Sequence, residues 1–218
     1  DVCSSDLSKA ERAVPRPQGG WPRRGGKNDN QTNQDTMLIR EVTDVIERFA
    51  PLAWQESYDN AGLIVGRPDD EVHRALLAVD VTDEVMAEAE REGCDMVITH
   101  HPIVFHALKR FNSADQVQRC VERAIRGGIA LYACHTNLDS APEGMSWRLA
   151  EMLGVGDLRV LQPAQADEKV GFGVVGELPA AVATVEFMRR MQRVLGVRVV
   201  RHSDIASPEV RRVAVCTG

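Results

Sequence analysis

The chain has 218 residues, which is enough for one large domain or two small ones with a buried core. Its hydrophobic content of 44%, charged content of 27% and net charge of -6 are typical of a soluble globular protein. An acidic balance gives no reason to expect nucleic acid, which is normally bound by a basic face. No stretch approaches the roughly 20 apolar residues of a membrane span, and no secretory signal is visible. We therefore predict a cytoplasmic protein without membrane or nucleic-acid partners.

Residues 1–36 differ in composition from the rest of the chain. The segment PRPQGGWPRRGGKNDNQTNQD is rich in Gly, Pro, Arg, Asn and Gln and has no apolar period, so we expect a disordered leader. The opening DVCSSDL resembles a translated sequencing-adapter tail. We interpret Met37 as the natural start and residues 1–36 as not native. A nucleic-acid-binding arm at Arg23, Arg24 and Lys27 is the less favoured alternative.

Hydrophobic periodicity predicts alternating helices and strands in the first half of the chain. TMLIREVTDVIERFAP is apolar at helical spacing and stops at Pro51, and ESYDNAGLIVG reads as a turn into a strand. Thr82 is placed to cap the helix DEVMAEAEREG, which Gly93 ends. RALLAVDVT, CDMVITHHP and IALYACHT are β-rich runs, separated by this helix and by ADQVQRCVERAIRGG. This order predicts βαβ units and a mainly parallel sheet.

The second half continues with helices and strands and suggests a second lobe. EGMSWRLAEMLG and TVEFMRRMQRVLG are predicted helices, and GFGVVGEL, VRVVRH and VRRVAVC are predicted strands. The polar connection QPAQADEKV marks the lobe boundary, with lobe one at about 37–160 and lobe two at about 170–218. Because the chain stops at VAVCTG, a strand running into a turn, we expect a truncated second lobe. The prediction is a two-lobed α/β protein with mainly parallel sheets.

Functional side chains cluster where three predicted strands end. LLAVDV carries Asp80 next to its last residue, and MVIT runs into His100 and His101. IALYAC is followed by His135 and, four residues later, by Asp139. The carboxyl ends of neighbouring parallel strands open on one edge of a sheet, so we expect these groups to converge. Imidazole nitrogens and a carboxylate are ligands for divalent cations, and they predict a metal site between the lobes.

The adjacency of His100 and His101 favours a site with two metal ions. Successive side chains of a strand point to opposite faces, so neighbours cannot easily share one ion. At a strand end, where the chain turns at Pro102, they can serve two ions about 3.5–4 Å apart, as in two-metal hydrolases. The less favoured alternative is that both imidazoles cap the strand and bond to backbone groups.

Three motifs taken together carry a family resemblance. YDNAGLIVG, ITHHPIVF and HTNLD, in this order and spacing, resemble the YbgI-type dinuclear-metal-centre family. Its members are also described as GTP cyclohydrolase 1 type 2 homologues and are related to the eukaryotic NGG-one-interacting factor three proteins. The likeness runs from Met37 to Gly218 and includes GELPA and VRRVAVCTG.

The resemblance implies that His100 and His101 each go to a different ion, and that Asp139 joins His101 on the same ion. It also implies a late His and Glu spaced H-x-x-x-E, which this sequence lacks, since its last histidine is His202 with no acid at that spacing. The implied cofactors are two divalent ions per full-length subunit, with Zn, Mn, Fe, Co and Ni left open by the N/O ligands. The implied assembly is a ring-shaped homohexamer.

The remaining polar residues near the motifs have alternative roles. His135 can be a ligand, an orienting group or a proton carrier; we favour an orienting or acid–base role over that of a ligand and name His135 as the candidate catalytic residue. Asp59 matches a family motif, although turn chemistry also explains it. Asp80 is expected to cap a helix or fix a loop. His106 and Lys109 are expected on a solvated helix face, with contact to a substrate anion as the alternative.

The expected function is that of a GTP cyclohydrolase 1 type 2 homologue. We expect a divalent-metal-binding protein that is a metal-dependent hydrolase acting on a nucleotide or a related small molecule. The family label names opening of the guanine ring of GTP, but the sequence has no G-x-x-x-x-G-K-[ST] signature, so this substrate rests on the label. No substrate-binding residue is identified. The alternative function is a non-catalytic metal-binding or partner-binding scaffold.

Overall fold

The computed structural model describes residues 36–164 and 167–217. Residues 1–35, which make up nearly all of the predicted leader, lie outside the described residues. The same holds for Gly218, at the end where the sequence predicts a truncated lobe.

The described residues form the five predicted helices and two short helical segments that the sequence does not predict. They are α1 (Ile39–Phe49), a 3-10 turn (Leu52–Trp54), α2 (Asp83–Glu92), α3 (Gln116–Gly127), α4 (Thr136–Asp139), α5 (Met145–Met152) and α6 (Thr184–Leu195). Thr82 Oγ1 accepts a hydrogen bond from the main-chain nitrogen of Val85 (3.2 Å), and Gly93 ends α2 with a φ of 69°, as predicted. The sequence does not predict the short α4, which directly follows His135.

The first sheet has four strands and is mainly parallel, which confirms the prediction from the βαβ units. Its strands are β2 (Gly62–Val65), β4 (Ala75–Ala78), β5 (Met96–Thr99) and β6 (Ala130–Ala133), in the order β2-β6-β5-β4. Strands β4, β5 and β6 are parallel, whereas β2 is antiparallel to β6. A separate two-residue pair joins β1 (Met37–Leu38) to β3 (Glu71–Val72).

Helices cover both faces of the first sheet. Successive residues of β5 enter different hydrophobic clusters: Met96 packs with Ile39 of α1, and Val97 packs with Met86 of α2 and Cys120 of α3. Burial of β5 and β6 on both faces explains why these two strands read as continuous apolar runs rather than as alternating patterns. The strand ends therefore rise from a rigid, closely packed base.

The glycines that bracket β2 have a structural role. Gly62 and Gly66 have φ values of 111° and 120°, a backbone conformation that favours glycine. A Cβ on Gly66 would also lie 2.8 Å from the Cβ of Ala130 on the neighbouring strand. These contacts account for the two glycines of the motif YDNAGLIVG without any role in chemistry.

The second sheet is antiparallel, unlike the parallel sheet expected there. Its strands are β7 (Gly156–Pro163), β8 (Gly171–Ala183) and β9 (Glu209–Val215), with β8 in the centre. Strands β7 and β8 are separated by only residues 164–170, too few for the crossover that a parallel pair needs. The sequence does not predict β7, and the run VRVVRH, predicted as a strand, forms none.

The change from one sheet to the other comes before Gly156, at the end of α5. The polar connection QPAQADEKV overlaps the end of β7 and leads into β8, so it joins two strands of the second sheet; its residues 165 and 166 lie outside the described residues. Helices α5 and α6 cover the second sheet through Trp147 and Phe187. None of the helices in residues 36–164 and 167–217 is long and apolar enough to cross a membrane.

The two sheets meet at α4. The main-chain nitrogen of Gly171 donates to the carbonyl oxygen of Ser140 (3.1 Å). After β9, the hydroxyl of Thr217 lies 3.0 Å from that of Ser146 and donates to Asp139 Oδ1 (3.2 Å). These contacts place Asp139 where the second sheet packs against the first.

Replacing Met86 tests the packing of the first core. Met86 is 0% exposed, so Met86→Ala should lower the free energy of unfolding by about 2–5 kcal/mol through lost burial and a residual cavity. Leu77 of β4, which is 75% exposed, is the matched control, and Leu77→Ala should change the free energy by no more than about 0.5 kcal/mol. Urea unfolding followed by circular dichroism measures both. Equal losses in the two variants would contradict this packing.

Candidate metal centre

The three histidines predicted at the strand ends lie together. The ring centroids of His100 and His101 are 4.9 Å apart, and those of His100 and His101 are 5.2 Å and 5.6 Å from that of His135. One ring nitrogen of each residue lies within 4.8 Å of those of the other two. This spacing is compatible with a bound metal ion.

Backbone hydrogen bonds beyond the strand ends bring the rings together. The main-chain nitrogen of His101 donates to the carbonyl oxygen of Val79 (3.0 Å), and the main-chain nitrogen of Cys134 donates to the carbonyl oxygen of Thr99 (2.8 Å). These bonds keep the neighbouring strands aligned beyond their ends. The Thr99 hydroxyl donates to the carbonyl oxygen of His101 (2.9 Å) and stabilises a turn directly after β5. Because the chain has left the extended conformation, the adjacent imidazoles of His100 and His101 do not point to opposite faces.

Each imidazole is held at Nδ1 by an oxygen that can only accept a hydrogen bond. The pairs are His100 with the Cys134 carbonyl oxygen (2.9 Å), His101 with Asp80 Oδ1 (2.7 Å) and His135 with Asp59 Oδ1 (2.8 Å). A carbonyl or an ionised carboxylate cannot donate a hydrogen bond, so these three contacts favour a proton on Nδ1 and a free Nε2 in each neutral ring. Metal-binding histidines are commonly oriented in this way.

Asp139 supplies a buried carboxylate next to the histidines. The residue is 3% exposed, and its Oδ1 accepts the hydrogen bond from Thr217. Its Oδ2 has no hydrogen-bond partner among the described residues and lies 3.7 Å from His100 Nε2. A buried carboxylate oxygen without a partner is costly, and a cation would satisfy it. The imidazole nitrogens and this oxygen therefore fit a divalent ion.

The resemblance pairs Asp139 with His101 on one ion, and this pairing stays a prediction. The observed contact of Asp139 Oδ2 is with His100. His101 is about half exposed and is held by Asp80, whose side chain is exposed as well. Asp80 thus acts as the group that fixes an imidazole, in line with the expectation that it fixes a loop.

Asp59 is a buried carboxylate with a full set of donors. It accepts hydrogen bonds from the main-chain nitrogens of Asn60 (2.6 Å) and Thr136 (3.0 Å), from the Thr136 hydroxyl and from His135 Nδ1. Burial alone raises the pKa of Asp59, but the hydrogen bonds from Thr136, His135 and the backbone outweigh it and hold the pKa below its usual value. Asp59 is therefore ionised at neutral pH.

The expected helix face at His106 and Lys109 is wrong. Residues 100–115 contain no helix, and the carbonyl oxygen of Val104 accepts a hydrogen bond from Asn60 Nδ2 (2.6 Å) instead of one from within a helix. Pro102 also lacks the N–H that a helix interior needs. The segment is an irregular loop that lies against the turn carrying Asp59.

Two exposed aromatic rings beside the site were missed by the sequence reasoning. The ring centroid of Phe105 lies 6.2 Å from that of His135 and 6.4 Å from that of Tyr58. Phe105 is 41% exposed and Tyr58 is 61% exposed. Tyr58 lies in the motif YDNAGLIVG and Phe105 in the motif ITHHPIVF, and both motifs are rich in apolar residues. In such a motif an exposed aromatic ring looks the same as a core residue, so no sequence signal identifies these two rings.

Comparison with known proteins identifies the family of this chain. The family model described as Duf34/NIF3 (NGG1p interacting factor 3) matches residues 37–218. A protein of Clostridium perfringens named GTP cyclohydrolase 1 type 2 homolog is 30% identical over 182 residues, which cover 84% of this chain and 70% of the relative.

Solved structures share the fold. A hypothetical protein of Staphylococcus aureus superposes with a TM-score of 0.76 at 25% identity, covering 84% of this chain and 72% of that one. A Bacillus cereus protein related to NIF3 superposes with a TM-score of 0.77 at 22% identity, covering 84% and 77% of the two chains, and shows the fold alone. The resemblance predicted from three short motifs is confirmed: the chain belongs to the Duf34/NIF3 family.

Proposed function

We propose that this protein binds divalent metal and is a metal-dependent hydrolase that acts on a nucleotide or a related small molecule. The observation that carries the proposal is the group of three imidazoles beside the unpartnered, buried oxygen of Asp139. Nitrogen and carboxylate ligands suit Zn, Mn, Fe, Co and Ni, so the metal is left open. The relatives' name, GTP cyclohydrolase 1 type 2 homolog, makes GTP the first substrate to test.

The proposed metal ligands are His100, His101 and Asp139. Both histidines have Nδ1 anchored and Nε2 free, and Asp139 Oδ2 lies beside one of them. The resemblance implies two ions and also a later His and Glu spaced H-x-x-x-E. That pair is absent from these 218 residues. We therefore propose that a second ion binds only where a His and a Glu with this spacing are also supplied.

The proposed catalytic group is His135, acting as a proton carrier. Divalent ions in hydrolases supply Lewis acidity, which activates water and polarises the electrophilic carbon or phosphorus. His135 Nε2 would take the proton from the attacking water, because Nδ1 is engaged by Asp59. The negative charge of Asp59 would stabilise the imidazolium that forms.

The surroundings of His135 support a substrate with a planar ring. Phe105 exposes its ring next to His135, the exposed ring of Tyr58 lies next to Phe105, and a nucleobase can pack against such a surface. Lys109, in the same loop as Phe105, is the proposed contact for an anionic group of the substrate.

Family resemblance is also the basis for proposing the assembly and location. We propose a ring-shaped homohexamer in the cytoplasm, without membrane or nucleic-acid partners, and the net charge of -6 supports the last point.

Removing one proposed ligand tests the metal site and the activity together. With Mn²⁺ or Zn²⁺, the protein should release formate from GTP, and His101→Ala should abolish this release and weaken metal binding by at least about tenfold, since a ligand is lost. Formate assay and isothermal titration measure the two effects. The matched control is His73→Ala, because His73 is a surface residue paired with Thr36 and Asp95. Tight metal binding without turnover of any nucleotide or phosphoester would favour the scaffold alternative.

Replacing His135 separates a proton carrier from a ligand. His135→Gln should keep the metal affinity and lower turnover by about 10²–10⁴-fold, because glutamine cannot accept the proton. Titration with Mn²⁺ and the formate assay give the two values. A loss of metal affinity equal to that of His101→Ala would instead identify His135 as a ligand.

A further inference from the structure

We infer that Asp59 is the positioning residue of His135, fixing its imidazole in the tautomer that carries the proton on Nδ1 and leaves Nε2 free. The inference rests on the proton-carrying role proposed above for His135. It concerns two residues that are 76 positions apart in the sequence and that the fold brings to 2.8 Å.

Both oxygens of Asp59 are occupied by donors. Oδ1 accepts from the main-chain nitrogen of Asn60 and from His135 Nδ1, and Oδ2 accepts from the main-chain nitrogen and the hydroxyl of Thr136. The Thr136 hydroxyl itself accepts a hydrogen bond from the nitrogen of Glu56 (2.9 Å), so its proton is directed at Asp59. The Asp59 side chain is 0% exposed. A buried carboxyl group surrounded by donors is stable as a carboxylate.

The donors around both oxygens of Asp59 determine the tautomer of His135. A carboxylate only accepts hydrogen bonds, so Nδ1 of His135 must be the donor, and the neutral ring then has a bare Nε2. The backbone of His135 is fixed as well: its nitrogen donates to Asn137 Oδ1 (2.9 Å), and Asn137 Nδ2 donates to the carbonyl oxygen of Ala50 (2.7 Å). The imidazole is thus held at its ring and at its main chain.

The other two histidines of the site lack such a partner. Asp80, which holds His101, has a side chain that is 57% exposed, so water competes for the contact. His100 is held by the neutral carbonyl oxygen of Cys134. A buried carboxylate at Nδ1 is the arrangement that orients the catalytic imidazole in serine hydrolases. Among the three imidazoles, His135 is the one whose Nδ1 bonds to a buried carboxylate, and this contact supports the proton-carrying role proposed for it.

The tautomer can be read directly by nuclear magnetic resonance. The 218-residue chain is labelled with ¹⁵N in its six histidines, and long-range ¹H–¹⁵N correlation separates the protonated nitrogen of each neutral ring from the bare one. The signals of His135 are assigned by their loss in His135→Gln. We expect the proton of His135 on Nδ1. In Asp59→Asn the side-chain amide can donate to Nδ1, so most of the population should change to the Nε2-protonated tautomer. The matched control Asp80→Asn should alter only the signals of His101.

Two results would overturn the inference: a wild-type His135 protonated on Nε2, or an Asp59→Asn variant that folds and keeps the wild-type tautomer. If Asp59→Asn does not fold, the wild-type spectrum still decides. The spectra need neither metal nor substrate, so a failure of the proposed activity leaves this result unchanged. With an active protein, Asp59→Asn should also lower turnover by about 10²–10⁴-fold, and unchanged turnover would contradict the positioning role.

Discussion

The parallel alignment of β4, β5 and β6 is the constraint on which the candidate site depends. Ala78, Thr99 and Ala133 are aligned in register across the three strands, so the strands end at the same level of the sheet. The polar residues that follow then occupy one edge. A shift of one residue in this register would reverse the faces of a whole strand and separate the imidazoles. Helices on both faces of the sheet oppose such a shift, because β5 and β6 are buried on both sides.

The two buried carboxylates at this edge, Asp59 and Asp139, differ in how many hydrogen bonds they accept. Asp59 accepts four hydrogen bonds, and its charge is compensated within the chain. Asp139 keeps one oxygen without a donor among the described residues, although burial of an uncompensated charge costs free energy. Such a cost is tolerated where another group completes the shell. The same edge therefore holds one satisfied carboxylate that orients a side chain and one incomplete carboxylate that is suited to bind a cation.

Local patterns explain which features the sequence could predict. Apolar spacing, a Thr cap and a Gly end are properties of neighbouring residues, and they predicted five of the described helices. The rule that functional groups follow parallel strands predicted that His100, His101 and His135 lie at one edge of the sheet, and the structure has them there. The antiparallel second sheet could not be predicted in the same way, because pairing of β7 with β8 depends on contacts across the connection rather than on either strand. The bond between Asp59 and His135 was missed for a related reason: turn chemistry explained Asp59 well enough by itself.

The hydrogen bond from Thr217 to Asp139 has a mechanical consequence. It is the one hydrogen bond that the described residues give to this carboxylate, and its donor follows the last strand of the other sheet. The orientation of Asp139 is therefore set jointly by two separately packed cores. A sliding of about one ångström between these cores would break the bond and free the carboxylate to rotate. The position of the Asp139 carboxylate therefore depends on how closely the two cores pack against each other.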